Sequence, residues 1–142
     1  FQAVVDYAHT PDSLSALYAA YPGRKVCVLG NTGGGRDTWK RPEMGRIADA
    51  ACDELILTNE DPYDEDPEAI VNAMAEGMER EPRIIMDRRE AIRTALSLAR
   101  TNDSVLITGK GTDPYIMGPK GSKTPWSDST VVREELKKLL QS

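Results

Sequence analysis

Apolar runs that are typical of buried strands alternate along this chain with segments whose apolar residues recur every three or four positions. The strand-like runs cover residues 3–5, 25–30, 54–58, 83–86 and 104–108. Because most of them are continuously apolar rather than alternating, they predict strands that are covered on both faces. Two further short runs, 115–118 and 123–126, flank a polar turn with a glycine and predict a hairpin.

The segments between the strands have helical periodicity. Leu14, Leu17 and Tyr18 recur at helical spacing after Pro11. Further helices are predicted from residue 42 to about 52, after Pro67, over 90–100 and over 130–140. Strand–helix alternation of this kind predicts a doubly wound, mostly parallel α/β sheet. Ligands of such sheets bind where the strands end, which selects the loops 6–12, 30–41, 59–66 and 109–114.

Composition narrows the function classes. With 142 residues the chain is expected to form one domain, and its net charge of −5 argues against a general nucleic-acid binder. No long apolar run or signal peptide points to a membrane or to export, so we expect a cytoplasmic protein. Cys27 and Cys52 are expected to be two buried, reduced thiols. The start at Phe1 suggests a piece of a longer chain.

The first candidate loop contains Asp6 and His9, the latter being the single histidine. Asp6 can accept hydrogen bonds from two vicinal hydroxyls, and His9 can stack on or hydrogen-bond to a ring. The alternative is that Asp6 and Thr10 only cap the following helix.

The second loop runs through three consecutive glycines into Arg36 and Asp37. It is not a phosphate loop, because Arg36 and Asp37 stand where that motif requires Lys and Ser or Thr. We interpret it as a glycine-rich loop that delivers Arg36, Lys40 and Arg41 to a site. Arginine suits bidentate carboxylate binding, whereas lysine suits a phosphate. The alternative is a solvated basic loop.

The two remaining loops carry acidic residues. The loop around Asp61 and Tyr63 is open to three interpretations: a metal site, a pocket for a substrate amine, or a solvated helix start. Its later acidic residues, 64–66, are explained by the favourable position of carboxylates before a helix. After the last buried strand, Gly109 permits close approach of a ligand to the backbone, and Asp113 can pair with an ammonium group.

Taken together, these motifs resemble the C-terminal domain of the Mur ligases. The resemblance rests on four segments in order: Val5-Asp6-Tyr7-Ala8-His9-Thr10-Pro11-Asp12, Gly34-Gly35-Arg36-Asp37 with Lys40-Arg41-Pro42, Thr58-Asn59-Glu60-Asp61-Pro62, and Gly109-Lys110-Gly111. The most similar members add the third amino acid to the UDP-N-acetylmuramoyl-L-Ala-D-Glu precursor of peptidoglycan. The resemblance covers nearly the whole chain.

The resemblance implies a Rossmann-like, doubly wound, mostly parallel six-stranded sheet with one antiparallel strand. It also implies that residues 1–142 are the last of three domains, the UDP-sugar-binding and central ATPase domains being absent here. The expected partners are those two domains, the UDP-N-acetylmuramoyl dipeptide, an amino acid and ATP with Mg²⁺, the Mg²⁺ being held mainly by the central domain. We expect this piece alone to be inactive.

The resemblance also implies roles for particular residues. Asp6, Tyr7 and His9 match positions near the nucleoside. Lys40 and Arg36 match catalytic positions, and Arg36 also matches the position that binds the incoming carboxylate. The remaining amino-acid-binding positions match Asp61, Tyr63, Gly109 and Asp113. No metal ligand is assigned.

The chain departs from the members that use meso-diaminopimelate in two places. Those members have Arg where this chain has Tyr63, and His-Glu where it has Thr112-Asp113. Since Tyr63 cannot neutralise a distal carboxylate as Arg does, lysine or another amino acid without that carboxylate is favoured. A compensating cation from Arg88, Arg89 or Lys110 is the competing possibility.

Two other functions stay open from the sequence. The chain could be a related ATP-dependent ligase domain, of the folylpolyglutamate or cyanophycin synthetase type. It could also be a non-catalytic nucleotide-binding module.

Overall fold

Five parallel strands form the central sheet of the computed structural model, which describes residues 1–35 and 38–141. The strands lie in the order β1-β5-β2-β3-β4. Their bounds are Gln2–Asp6 for β1, Lys25–Leu29 for β2, Glu54–Leu57 for β3, Arg83–Ile84 for β4 and Ser104–Thr108 for β5. The last strand therefore inserts between the first two, so the carboxyl ends of β1, β5 and β2 are neighbours.

Five α-helices connect and cover the strands. Their bounds are Pro11–Ala20 for α1, Lys40–Ala51 for α2, Pro67–Ala75 for α3, Arg88–Leu98 for α4 and Asp128–Gln141 for α5. All five predicted helices are confirmed, but α2, α4 and α5 begin two residues earlier than the periodicity predicts. Pro42 is compatible with the early start of α2, because a proline in the first helical turn breaks no hydrogen bond.

The sheet separates two hydrophobic cores. Residues alternate between the faces of a strand, so Cys27 and Leu29 of β2 face one core while Val26 and Val28 face the other. The helices α1, α2 and α3 supply the first core, and α4 with α5 supplies the second. The prediction that the strands are covered on both faces is confirmed for β2, β3 and β5, whereas β1 is half-buried and both residues of β4 are exposed.

The Rossmann-like α/β class is confirmed, but the number and direction of the strands need correction. We expected six strands in one sheet with one antiparallel, whereas the described sheet has five strands, all of them parallel. The antiparallel pairing lies in a separate hairpin of β6 (Tyr115–Met117) and β7 (Lys123–Pro125). Its strands have three residues each, and they pair with each other rather than extending the sheet.

The prediction of two reduced thiols also needs correction, because Cys27 and Cys52 form a disulfide. Cys27 lies in the middle of β2, and Cys52 is the residue that ends α2. Their Cα atoms are 6.1 Å apart, which lies within the range of protein disulfides. The sequence analysis predicted burial correctly, since neither residue is more than 4% exposed. It could not show that the packing of α2 on β2 brings the two together.

None of the helices in the described parts of the chain has the length and apolar content needed to cross a bilayer.

Candidate functional site

The four loops selected from the sequence meet at the carboxyl edge of the sheet. Two backbone hydrogen bonds join them in pairs: the amide of Gly109 donates to the carbonyl of Asp6 over 3.1 Å, and the amide of Gly33 donates to the carbonyl of Asp61 over 2.6 Å. These contacts follow from the strand order, because β1 borders β5 and β2 borders β3. The predicted site residues that the structure describes therefore lie on loops at one edge of the sheet.

The loop after β1 presents two aromatic rings. The centroids of the Tyr7 and His9 rings are 4.6 Å apart, and Nδ1 of His9 lies 2.9 Å from the Tyr7 carbonyl oxygen. Tyr7 is 54% exposed, which leaves its ring accessible to a flat ligand. Asp6 is half-buried, and its Oδ1 accepts a hydrogen bond from the Ala8 amide over 2.8 Å.

Capping of α1 is the task of Thr10 and not of Asp6. The Thr10 hydroxyl accepts from the Ser13 amide, and the Ser13 hydroxyl accepts from the Thr10 amide, which completes a capping box. The capping alternative from the sequence analysis is thus confirmed for Thr10. Asp6 instead accepts a hydrogen bond from the turn before the helix through Oδ1, and its Oδ2 atom does not cap α1.

The loop after β5 packs against the first loop. A Cβ at Gly111 would lie 2.9 Å from Cβ of Tyr7, so the glycine lets the two loops touch. The negative charge of Asp113 is the main reason that the pKa of Tyr7 is raised. The carboxylate of Asp113 therefore acts electrostatically on the hydroxyl of Tyr7.

Gly109 adopts a backbone conformation that only glycine tolerates easily. Its φ is +103°, and a Cβ there would lie 1.8 Å from Oε1 of Glu60. The predicted close approach at Gly109 is real, but the group that approaches is a protein carboxylate.

Asp61 has its carboxylate engaged by the protein. Nζ of Lys110 donates to Oδ1 over 2.8 Å and to Oδ2 over 2.9 Å. The amide of Met117 in the hairpin donates to Oδ1 over 2.9 Å. The next exposed residue of this loop is Tyr63, which is 38% exposed and has a positive φ of 53°.

Glu65 holds the glycine loop. This corrects the interpretation of Glu65 as only a favourable charge before a helix, and that of Arg41 as a residue delivered to a site. Glu65 accepts two hydrogen bonds from Arg41, of 2.9 and 3.0 Å, and one from the Gly35 amide. The bonds to Arg41 hold the pKa of Glu65 below its usual value. Arg41 is only 5% exposed, so it ties two loops together rather than being delivered to a ligand. Arg36, predicted as both catalytic and carboxylate-binding, and Asp37 lie outside the described residues.

Lys40 lies at the rim of a groove between the first turns of α1 and α2. The groove has a volume of about 460 Å³ and is lined by Thr10, Pro11, Asp12, Trp39, Lys40 and Glu43. Nζ of Lys40 is 5.9 Å from the centroid of the Trp39 ring, and Trp39 is 67% exposed. The predicted catalytic lysine therefore shares this groove with residues 10–12, which follow the predicted nucleoside-binding residues in the chain.

Two buried charged residues beside the site were not selected from the sequence. Glu60 is 4% exposed, and burial raises its pKa to about 7. Arg88, considered only as a spare cation, is 3% exposed. It donates two hydrogen bonds to Asp128 and one each to the carbonyls of Asn59 and Thr108. A charged residue in the loop at the end of a buried strand was the signal that could have pointed to Glu60.

The three candidates for a compensating cation are all engaged elsewhere. Arg88 is bound to Asp128, Arg89 donates to Glu134 and Glu135, and Lys110 is bound to Asp61. Among residues 1–35 and 38–141, no group of three or more His, Cys, Asp and Glu side chains is arranged to hold a metal ion.

Comparisons with known proteins identify the family of this chain and agree with its fold. Residues 1–111 match the sequence family described as "Mur ligase, glutamate ligase domain". A UDP-N-acetylmuramoyl-L-alanyl-D-glutamate–2,6-diaminopimelate ligase of Aquifex aeolicus is 40% identical over 96% of this chain and 29% of its own length. The ligase of the same name from Chlorobium phaeobacteroides is 44% identical over 93% of this chain and 27% of its own length.

A solved structure of a ligase with that name superimposes with a TM-score of 0.88 at 34% identity. The match covers 99% of this chain and 30% of the other. The chain therefore spans less than a third of the length of the relatives that it matches.

Proposed function

This chain belongs to the Mur ligase family as its glutamate ligase domain, and we propose that it closes over ATP and binds the incoming amino acid in a peptidoglycan-precursor ligase. In the proposed reaction, a third amino acid is joined to UDP-N-acetylmuramoyl-L-Ala-D-Glu. The observation that carries the proposal is that the four loops lie at one edge of the sheet and are hydrogen-bonded in pairs. These loops present two neighbouring aromatic rings and a groove lined by Lys40.

The loop after β1 fits the nucleoside part of ATP. Tyr7 and His9 offer neighbouring ring faces, which suit stacking on a base. Asp6 bonds the turn through Oδ1, and its Oδ2 can accept from ribose hydroxyls. The resemblance to the family supports assigning Mg²⁺ mainly to the central domain of the complete enzyme.

The proposed chemistry has two steps. A substrate carboxylate first takes the terminal phosphoryl group of ATP, which leaves ADP and an acyl phosphate. The amine of the incoming amino acid then attacks the acyl carbon, and phosphate leaves as the amide bond forms. Lys40 contributes a positive charge at the rim of the groove, where it can stabilise the phosphoryl oxygens.

The domain's main contribution is to position the amine. Arg36 is proposed to hold the α-carboxylate of the incoming amino acid by a bidentate ion pair. Tyr63, Gly109 and Asp113 are proposed to surround its side chain, with Asp61 in the same wall. Holding two reactants in attack geometry accounts for a large part of the rate of such a bimolecular step.

The test uses the complete ligase and the substitution Arg36→Ala. We expect the KM for the amino acid to rise about 10- to 150-fold, because a charge-assisted pair contributes roughly 1.5–3 kcal/mol. The KM for ATP should change far less. Arg36→Lys should rescue only partly, since a single ammonium cannot form the bidentate pair. Equal effects on both KM values would assign Arg36 to the nucleotide or to the fold.

A further inference from the structure

Asp61 connects three segments that border the proposed amino-acid pocket. Its carbonyl oxygen accepts from the amide of Gly33 in the glycine loop over 2.6 Å. Its carboxylate accepts from Lys110 in the loop after β5 and from the amide of Met117 in the hairpin, over distances of 2.8 to 2.9 Å. One residue thus joins the glycine loop, the loop after β5 and the hairpin.

Lys110 completes this connection from the other side. Its side chain is 1% exposed, against 12% for the side chain of Asp61. Besides the two bonds to Asp61, its ammonium group donates to the carbonyl of Tyr115 in β6. Asp113 lies at 3.8 Å from the same nitrogen. The ammonium group of Lys110 therefore bonds to protein groups and is not directed to a ligand.

The hairpin in turn holds the acidic loop in place. The Tyr63 amide donates to the carbonyl of Met117 over 3.1 Å, and the Lys120 amide donates to Oδ1 of Asp64 over 2.7 Å. Moving the hairpin would therefore move Tyr63, the residue proposed to contact the side chain of the amino acid. It would also move the loop that leads from Gly33 toward Arg36.

We propose that Asp61 and Lys110 act as a positioning pair, which sets the shape of the amino-acid pocket without touching the amino acid. This inference rests on the proposed function, and it gives Asp61 an indirect role instead of a direct contact. Removing one member of a buried ion pair leaves the other charge unpaired away from water. The loop that contains Asp61 and the loop after β5 that contains Lys110 should therefore both shift. The shape of the pocket thus depends on the positions of the Asp61 loop and the Lys110 loop together.

The first test measures hydrogen exchange in the 142-residue chain itself. The variants are Asp61→Asn and Lys110→Met, and the control is Asp103→Asn. Asp103 is also a buried carboxylate in an ion pair, with Arg24, but it lies at the opposite edge of the sheet. We expect the amides of Tyr63 and Met117 to exchange roughly tenfold faster or more in both variants, since their local opening becomes easier. The control should leave these amides unchanged. Equal exchange in all three variants would overturn the proposal.

The second test measures kinetics of the complete ligase. In each single variant the KM for the amino acid should rise about 10- to 100-fold, as expected when a reactant is misplaced by about 1 Å. The KM for ATP should stay the same, and Asp103→Asn should change neither. The double variant, which leaves no charge unpaired, should regain unfolding temperature but keep the raised KM for the amino acid.

The outcomes separate the two proposals. If both KM values rise together, or if neither changes, the positioning role is wrong. If the unsubstituted complete enzyme ligates no amino acid, the proposed function fails, while the exchange result still decides whether the pair holds the two loops.

Discussion

Glu60 is a buried acid whose environment favours its neutral form. Its Oε1 has no hydrogen-bond partner among the described residues, and the side chain is confined between Gly30 and Gly109. Burial is the main cause that raises its pKa from 4.5 to about 7; Asp61 adds to the rise, and Arg88 opposes it. The folded chain therefore binds this proton more tightly than the unfolded chain. Its contribution to stability is complete below pH 4.5 and is lost as the pH rises through about 7.

Glu60→Gln should for this reason stabilise the chain at alkaline pH. The amide keeps the shape of the protonated acid and cannot ionise, so we expect a gain of up to about 3 kcal/mol in the free energy of unfolding at pH 8. The gain should disappear near pH 4.5. Urea unfolding of both chains across this range measures it. A constant difference at all pH values would show that Glu60 does not carry the effect.

Glu135→Gln is the matched control with the opposite sign. Hydrogen bonds from Arg93, Arg89 and Lys138 lower the pKa of Glu135 from 4.5 to about 2. Its contribution to stability is therefore present above pH 4.5 and is lost as the pH falls through about 2. This variant should be less stable than the unsubstituted chain at pH 8, where Glu60→Gln is more stable.

We expect Tyr63 to determine which amino acid the proposed pocket prefers. The cations that could replace an arginine, Arg88, Arg89 and Lys110, are engaged with Asp128, Glu134 and Asp61. A distal carboxylate would then be buried without a partner, which is unfavourable. We expect the complete ligase to prefer L-lysine over meso-diaminopimelate by about 100-fold in kcat/KM.

A side-by-side assay of the two amino acids tests this preference, with the unsubstituted ligase and the Tyr63→Arg variant compared. The substitution should shift the ratio toward meso-diaminopimelate, because the guanidinium can pair with the second carboxylate. The names of the relatives, which include 2,6-diaminopimelate, give the opposite expectation. If the unsubstituted enzyme uses diaminopimelate better, the interpretation of Tyr63 is wrong.

At the scale of elements, α2 and α3 pack through glycines. A Cβ at Gly45 of α2 would lie 1.9 Å from the carbonyl oxygen of Met74, and a Cβ at Gly77 would lie 1.8 Å from that of Pro42. Backbone carbonyls cannot rotate away as side chains do. The close approach of the two helices therefore depends on both glycines.

Gly45→Ala should destabilise the chain although alanine favours helices. Its helix propensity is worth about 1 kcal/mol, but overpacking against backbone costs about 1–3 kcal/mol and forces the helices apart. Thermal unfolding should show a lower Tm. Gly23→Ala is the control, because nothing lies within 4 Å of its Cβ position, and it should leave the Tm unchanged or slightly raised. A similar response of both variants would contradict this account of the packing.

At the scale of the whole molecule, the chain should fold by itself without turning over ATP. Its sheet is covered by helices on both faces, and each face has its own hydrophobic core. The segment 30–37 does not match the phosphate-loop motif, which is why we expect no turnover from this chain alone. We expect one cooperative unfolding transition, and no release of phosphate from ATP above that of a Lys40→Ala variant. Hydrolysis above that control would assign catalysis to this domain alone.

Much of the fold could be predicted from the sequence because strands and helices have different periods. Continuous apolar runs predicted β2, β3 and β5, and the three- to four-residue spacing predicted all five helices. The rule that ligands bind at strand ends then selected loops that do lie together. The roles of Asp6, Tyr7, His9, Lys40, Gly109 and Asp113 remain predictions, and at Gly109 the group that approaches the backbone is the Glu60 carboxylate.

The sequence by itself determined the fold class and which loops lie at the carboxyl edge of the sheet, because these depend on local spacing. Only the tertiary structure decided how charges pair and which cysteines meet. Arg41 is bound to Glu65, Asp61 to Lys110, and Cys27 to Cys52, over separations of 24 to 49 residues. The physical reason is that pairing energy depends on distance and burial, and both are set when helices and loops pack onto the sheet.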